Sequence, residues 1–307
     1  MILRSALTLL CVVAMTPVAA RVAADNERGL LAANDVAQQK HYQSDEEFSE
    51  REEIRRSFQL SPGARVEVAS INGPVEIETS NTDTAEVHIV RSARRRADLE
   101  YRRITIEQTP ASLVVRGEDS REGQRVDIRQ RVMLRLPRRI ELSVSSISGA
   151  VSIGDVAGVV RVSSISGGTR VGNVTGDFRA GSISGSMTVG EVGGAVKLGS
   201  ISGGVRVGQA VGSFEASSVS GSITATITRL DQRGIHINSV SGGIDLRFTD
   251  ELNADVTTNH VSGRVSLDVP NAFVESKAES SSLRARIGTG GAAISISNVS
   301  GGVRLTR

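Results

Sequence analysis

The sequence predicts an all-β protein, a single-stranded parallel β-solenoid of about 18-residue coils with a β cap on its N-terminal side. Three observations predict it. Ser146-Ile147-Ser148-Gly149 recurs at Ser164, Ser182 and Ser200 and as Ser218-Val219-Ser220-Gly221, each copy 18 residues after the last. Each unit splits into two nine-residue halves with apolar residues at places two, six and eight and glycine at four, the period-two alternation of strands with one buried face. Aromatics are 3% of the chain, tryptophan is absent and glycines number 32. That composition suits stacked Val and Ile better than a core built on large rings.

The first 24 residues read as a secretory signal peptide. Arg4 precedes the apolar run Ala6 to Met15, and small residues at 18–20 and 22–24 allow cleavage after Ala20 or Ala24. The run is too short to cross a bilayer, which takes roughly 20 apolar residues, so no membrane span is expected after cleavage. The single cysteine, Cys11, falls inside this segment. Disulfide staples are therefore not expected. Losing Arg4 and Arg21 leaves basic and acidic residues balanced, from 36 and 34 in the whole chain. The charge gives no reason to expect a nucleic-acid partner.

Residues 25–57 are polar, ending in a charged run from Asp45 to Arg56, and read as a solvated linker. Ser44 and Glu47 would suit the capping box of a short helix. Residues 58–142 alternate in shorter strands: 65–69, 75–79, 85–91, 104–108, 113–117, 126–129 and 132–136. Ser70-Ile71-Asn72-Gly73 is an outlying tetrapeptide, so this region reads as an atypical terminal cap continuous with the repeats.

Residues 143–307 hold the repeats. Looser copies at Ser239, His260 and Asn298, spaced by 21, 21 and 38 residues, suggest a degenerate coil around Ser280 to Leu283 and nine coils in all. One coil cannot bury its apolar face alone, whereas a stack buries a continuous column. Polar residues at places nine and one read as a corner. On that reading the Ile of each tetrapeptide is core, and the glycines Gly149, Gly167, Gly185, Gly203 and Gly221 sit where a side chain would strike the next coil. The last coil would leave a strand edge, blunted by Arg304 and Arg307. A monomer or a weak end-to-end oligomer is expected.

A family resemblance enters with Phe58-Gln59-Leu60-Ser61-Pro62-Gly63-Ala64-Arg65-Val66-Glu67-Val68 and Asn72-Gly73-Pro74-Val75-Glu76-Ile77. Together with Leu136-Pro137 ahead of Leu142-Ser143-Val144 and the first repeat, these residues resemble the bacterial "putative adhesin" family with β-strand repeats, over residues 58–307. The resemblance implies a β-solenoid in a bacterial envelope protein, and it brings no catalytic residues with it.

The residues themselves offer little chemistry. No His-Glu-x-x-His, cysteine cluster or calcium nonapeptide is present, so neither metal nor cofactor is expected. His236 alternates with Ile235 and Ile237 and His260 replaces a tetrapeptide serine, both outward places. The acids Asp155, Asp177 and Glu191 do not cluster as glycoside chemistry requires. A polysaccharide-active enzyme is the rival class, and a sensor acting by protein contact is a third.

Two ladders are candidate binding surfaces. One is a hydroxyl array of Ser146, Ser148, Ser164, Ser166, Ser182, Ser184, Ser200 and Ser202, suited to a regular surface such as a glycan lattice, although small hydroxyls also suit a tight corner. The other is Arg161, Arg179 and Lys197 followed by Glu215, suited to an acidic envelope glycan or lipid headgroups, although charges also guard against aggregation. Arg91, Arg94, Arg95, Arg96, Arg102 and Arg103 add a basic cluster. The partner expected is an acidic envelope glycan or another envelope protein, and the place is periplasm or cell surface.

Overall fold

A computed structural model describes residues 48–119, 127–278 and 282–307. The signal segment and the Ser44–Glu47 box lie outside these residues. Glu50–Arg307 is one compact unit. Each 18-residue coil contributes one strand to each of two sheets, a 12-stranded sheet A and a 13-stranded sheet B. Between Val160–Ser166 and Phe214–Ser220 the sheet B strands pair in parallel with partners 18 residues apart: Val160 lies beside Phe178, then Val196, then Phe214. The inward side chains of both sheets form one continuous core, with Phe178 and Phe214 fully buried within it.

The corner between the sheets lies at the tetrapeptide glycine. Gly149, Gly167, Gly185, Gly203 and Gly221 have φ between +100° and +133°, a region open to glycine and costly for other residues. A Cβ on Gly185 would also overlap the backbone carbonyl of Gly167 in the coil beside it. Stacking and turning thus both require glycine here. The expected collision is present, and the same positions also turn the chain, which places the corner at glycine rather than at places nine and one.

Placing the corner at glycine corrects the orientation expected for the tetrapeptide. The strand Val160–Ser166 starts before the supposed corner at places nine and one and runs through it. Its alternation buries Val160, Val162 and Ser164 and turns Arg161, Ser163 and Ile165 outward. Ser146, Ser164, Ser182 and Ser200 are therefore buried, while Ile147 is 39% exposed and Ile165 and Ile183 are each 49% exposed. In the outlying copy, a bulge between Val68 and Ile71, with Ser70 at φ 57°, reverses this phase and buries Ile71.

Inward serines fit the narrowing corner. Ser146 Oγ donates to the Ser148 carbonyl two residues on, at 3.2 Å. Ser182 Oγ is buried without a hydrogen-bond partner. Ser182→Ala is accordingly expected to leave the melting temperature unchanged or raise it, since the hydroxyl is desolvated for no bond. Ile183→Thr should cost less than about 1 kcal/mol, because a half-exposed side chain forfeits little burial. Thermal denaturation of both variants checks the inverted phase; a loss above about 2 kcal/mol for Ile183→Thr would restore it to the core.

The ends depart further from a simple reading. Glu50–Gln59 is a strand paired antiparallel with Thr84–Ala93, where a linker or helix was expected through residue 57. Ile54 and Phe58 pack on the core from it. Their four-residue spacing fits one face of a strand as well as one face of a helix, which is why the pattern misleads. The two strands expected at 126–129 and 132–136 are represented in the described residues by one strand, Ile128–Pro137. Ala64–Asn72 and Val75–Ser80 do stack directly on the first repeat, Ile140–Ser148 and Val151–Ile153.

At the other end the order of coils is not the order of sequence. Ala292–Ser300 and Val303–Thr306 insert between the coil at 235–248 and the coil at 254–268. Arg304 is therefore on an interior strand of sheet A, and the edge strand is Val265–Asp268. No coil forms near Leu283. Ser282–Ile287 is an antiparallel strand between Ala254–Ser262 and Ala272–Ala278, capping sheet B; residues 279–281 lie outside the described ones.

Candidate functional site

The alternation that buries the tetrapeptide serine also determines what sheet B shows to solvent. Three outward columns run along the stack. Arg161, Arg179, Lys197, Glu215 and His236 form the first. Ser163, Gly181, Gly199, Ser217 and Asn238 form the second. The third is aliphatic: Ile165 and Ile183, continued at Val240 and Val299, each between 47% and 49% exposed. Small residues in the middle column leave a trough of about 790 Å³ against the aliphatic ridge, open to solvent along its length. A smaller hollow of about 420 Å³ joins the same glycines to Arg161, Arg179 and Lys197.

The serine array is half dismantled by this geometry. The side chains of Ser146, Ser164, Ser182 and Ser200 are buried and offer no hydroxyl ladder to solvent. Ser166, Ser184 and Ser202 remain an exposed column at the tight corner, and Ser148 is partly covered, its Oγ donating to Asn72 Oδ1. An aliphatic ridge stands where a flat hydroxyl surface was expected. Sequence reasoning missed Ile165 and Ile183 because it placed them in the core. The signal was present: two places of strict alternation from Val162 bring Ser164 inward and leave Ile165 outward.

The cationic ladder is on the surface as expected, but it is partly neutralised. Lys197 Nζ lies 2.9 Å from Glu215 Oε1 and Arg179 lies 3.3 Å from Asp177. The N-terminal basic cluster is engaged internally. Arg91 is buried and donates to Glu52 and to the carbonyls of Leu99 and Arg102, and burial lowers its pKa. Arg95 pairs with Asp98, Arg103 with Glu100 and Arg94 with Asp127. Of this cluster only Arg91 is buried; Arg94, Arg95, Arg96 and Arg103 stay at the surface.

The exterior acids hold the stack together. Asp155 Oδ1 accepts the Asn173 N–H at 2.8 Å, and Asn173 Oδ1 accepts the Glu191 N–H at 2.9 Å. Asp177 Oδ1 accepts the Ala195 N–H at 3.0 Å. Each side chain thereby satisfies a backbone donor one coil on. His236 is exposed, and the side chain of His260 is outside those described. Among the described residues no three His, Cys, Asp or Glu side chains are grouped to hold a metal, and no helix is long and apolar enough to cross a membrane.

No curated protein matches the chain in sequence. Solved structures that match the chain include a "putative cell adhesion protein" from Clostridium sporogenes, 9% identical over 84% of this chain and 99% of that one, with a TM-score of 0.29. A "putative adhesin" from Bacteroides fragilis is 12% identical over 83% and 97%, with a TM-score of 0.45. A "putative lipid binding protein" from Parabacteroides distasonis is 10% identical over 83% and 97%, with a TM-score of 0.36. The family model named Toastrack DUF4097 matches residues 64–306, from the first stacked strand to the last. The chain belongs to the Toastrack DUF4097 family.

Proposed function

We propose that this protein is an exported, non-enzymatic binding module of the bacterial cell envelope that adheres through the outer face of sheet B. The observation carrying this reading is the ridge of Ile165, Ile183, Val240 and Val299 standing in solvent beside an open trough. Single exposed aliphatics are ordinary. Four of them, in two neighbouring pairs along one column of a sheet face, mark a contact surface.

The ridge also favours one expected partner over the other. A glycan is gripped by aromatic platforms and convergent polar groups, whereas this face offers branched aliphatics and small residues. Another envelope protein is the better fit than an acidic glycan. Against the rival enzyme reading, the coil acids Asp155 and Asp177 are spent as backbone caps between coils.

The test is adsorption of the chain from Asp25 onward to envelope fractions of the source bacterium. The double substitution Ile165→Lys with Ile183→Lys is expected to reduce adsorption at least tenfold while circular dichroism and melting stay close to wild type. Undiminished adsorption would discard sheet B as the contact face. Turnover of any acidic glycan in a panel would overturn the non-enzymatic reading.

A further inference from the structure

Two glycines in sheet B have no structural reason to be glycine. Gly181 and Gly199 sit inside the strands Phe178–Ser184 and Val196–Ser202. Neither has a left-handed φ, and a Cβ on either would meet nothing within 4 Å. Their neighbours Gly185 and Gly203 are the opposite case, turned at +125° and +117° and pressed on the coil beside them. Glycine inside a strand costs about 0.5–1 kcal/mol relative to alanine and often marks the approach of a ligand or another chain. Local cost without internal gain is the mark of a functional position.

Both glycines lie on the floor of the trough. The wall on one side is Ile165 and Ile183, and on the other it is Arg161, Arg179 and Lys197. Four residues separate Arg179 from Ile183 along the strand, about 13 Å at about 3.3 Å per residue. An α-helix with side chains is about 10–12 Å across. The trough runs over seven neighbouring strands from Ser163 to Asn259, about 29 Å at about 4.8 Å per strand, the length of about 19 helical residues. A helical turn rises about 5.4 Å, so about one apolar side chain per turn meets each coil.

The open trough also selects against other occupants. A small amphiphile is usually enclosed over about 70–90% of its surface, which a trough open along its length does not provide. An added β-strand needs a sheet edge, and these strands are paired on both sides. A helix needs only one face covered.

Charge sets its flank. Among the described residues Arg161 has no ion pair, and the pairs of Arg179 with Asp177 and Lys197 with Glu215 are exposed. Exposed pairs contribute about 0–1 kcal/mol and yield readily to a better-placed carboxylate. We infer that the trough of sheet B seats an amphipathic helix of a partner protein, its aliphatic edge against Ile165 and Ile183 and its acidic flank against Arg161 and Arg179. The inference rests on the binding-module reading and names the partner's chemistry.

The probe is a fluorescein-labelled synthetic helix of about 18 residues with leucines at i, i+3, i+4 and i+7 spacing and glutamates along one flank. Its counterpart carries lysines at those glutamates. Fluorescence anisotropy with the chain from Asp25 onward is expected to show binding of the acidic helix at least tenfold tighter than of the basic one. Gly181→Thr with Gly199→Thr should melt at or above the wild-type temperature and bind the acidic helix at least tenfold more weakly. Should that variant misfold, Arg161→Glu with Arg179→Glu should reverse the preference between the two peptides.

Equal binding of both peptides, no binding of either, or full binding by the glycine variant overturns the inference. So does saturable binding of palmitate or phosphatidylglycerol vesicles in place of the peptide, or a dimer in sedimentation that the glycine variant dissolves. Envelope adsorption that still depends on Ile165 and Ile183 while the peptides fail removes the helix and leaves the module. Adsorption indifferent to those isoleucines removes both.

Discussion

Gly185→Val is expected to destroy the stack, while Gly181→Val, four residues earlier and inside the strand Phe178–Ser184, is expected to leave it intact or strengthen it. At Gly185 the backbone holds φ at +125°, where a β-branched residue is a true outlier. Strain of this kind costs about 1–3 kcal/mol before any clash is counted. The new Cβ would overlap the Gly167 carbonyl, which belongs to backbone and has no room to retreat. The two coils would separate or the corner would reopen, and the total loss should exceed about 3 kcal/mol. At Gly181 the strand gains a residue of high β-propensity with open space around it. Denaturant unfolding of the two variants side by side measures the difference. Similar midpoints for both would mean that the tetrapeptide glycine is not the corner.

Phe214→Ala is the second large effect, expected at about 3–5 kcal/mol. Phe178, Phe214 and Phe248 are the large aromatic side chains of a core otherwise made of branched aliphatics, alanine and Met187, and Phe178 and Phe214 are fully buried. Phe178, Val196 and Phe214 follow one another on sheet B. The neighbouring pair Ala180 and Ala216 flanks Leu198 in the adjoining column. Large and small side chains thus compensate within a coil, and removing a ring leaves a void that alanines beside it cannot fill. Each coil is stabilised by its two neighbours, so a hole at Phe214 weakens two interfaces and should broaden or split the unfolding transition. Phe214→Leu should recover most of the loss. A fall of less than about 1 kcal/mol for the alanine variant would show that the core collapses around the site.

Most of the architecture was legible because it is written in period. Eighteen residues per coil, two strands per coil and the need for glycine in each tetrapeptide all follow from the spacing of Gly and Val or Ile, although the place of the corner does not. The site was not legible in the same way. Ser-Ile-Ser-Gly contains one apolar residue among small ones, and burial by residue type places Ile inside. The backbone decides otherwise, because the strand that buries Val160 and Val162 continues past Ser163 before it turns. The exposed isoleucines, and the trough they bound, depend on that continuation.

The ends show a second kind of hidden information. Ile54 and Phe58 satisfy a strand and a helix equally, and pairing with Thr84–Ala93 settles which. The insertion of Ala292–Ser300 between two earlier coils depends on which stacked face is free, and no local pattern records it.

Composition and periodicity were enough for the coil, its apolar columns and the need for glycine, since these follow from burying one face of a strand and stacking identical turns. Which side of the tetrapeptide faces water, which strands close the ends and which glycines stand over empty space were decided only by the packed chain. A strand's alternation has two phases of equal local merit. Hydrogen-bond register and the left-handed turn at glycine select between them.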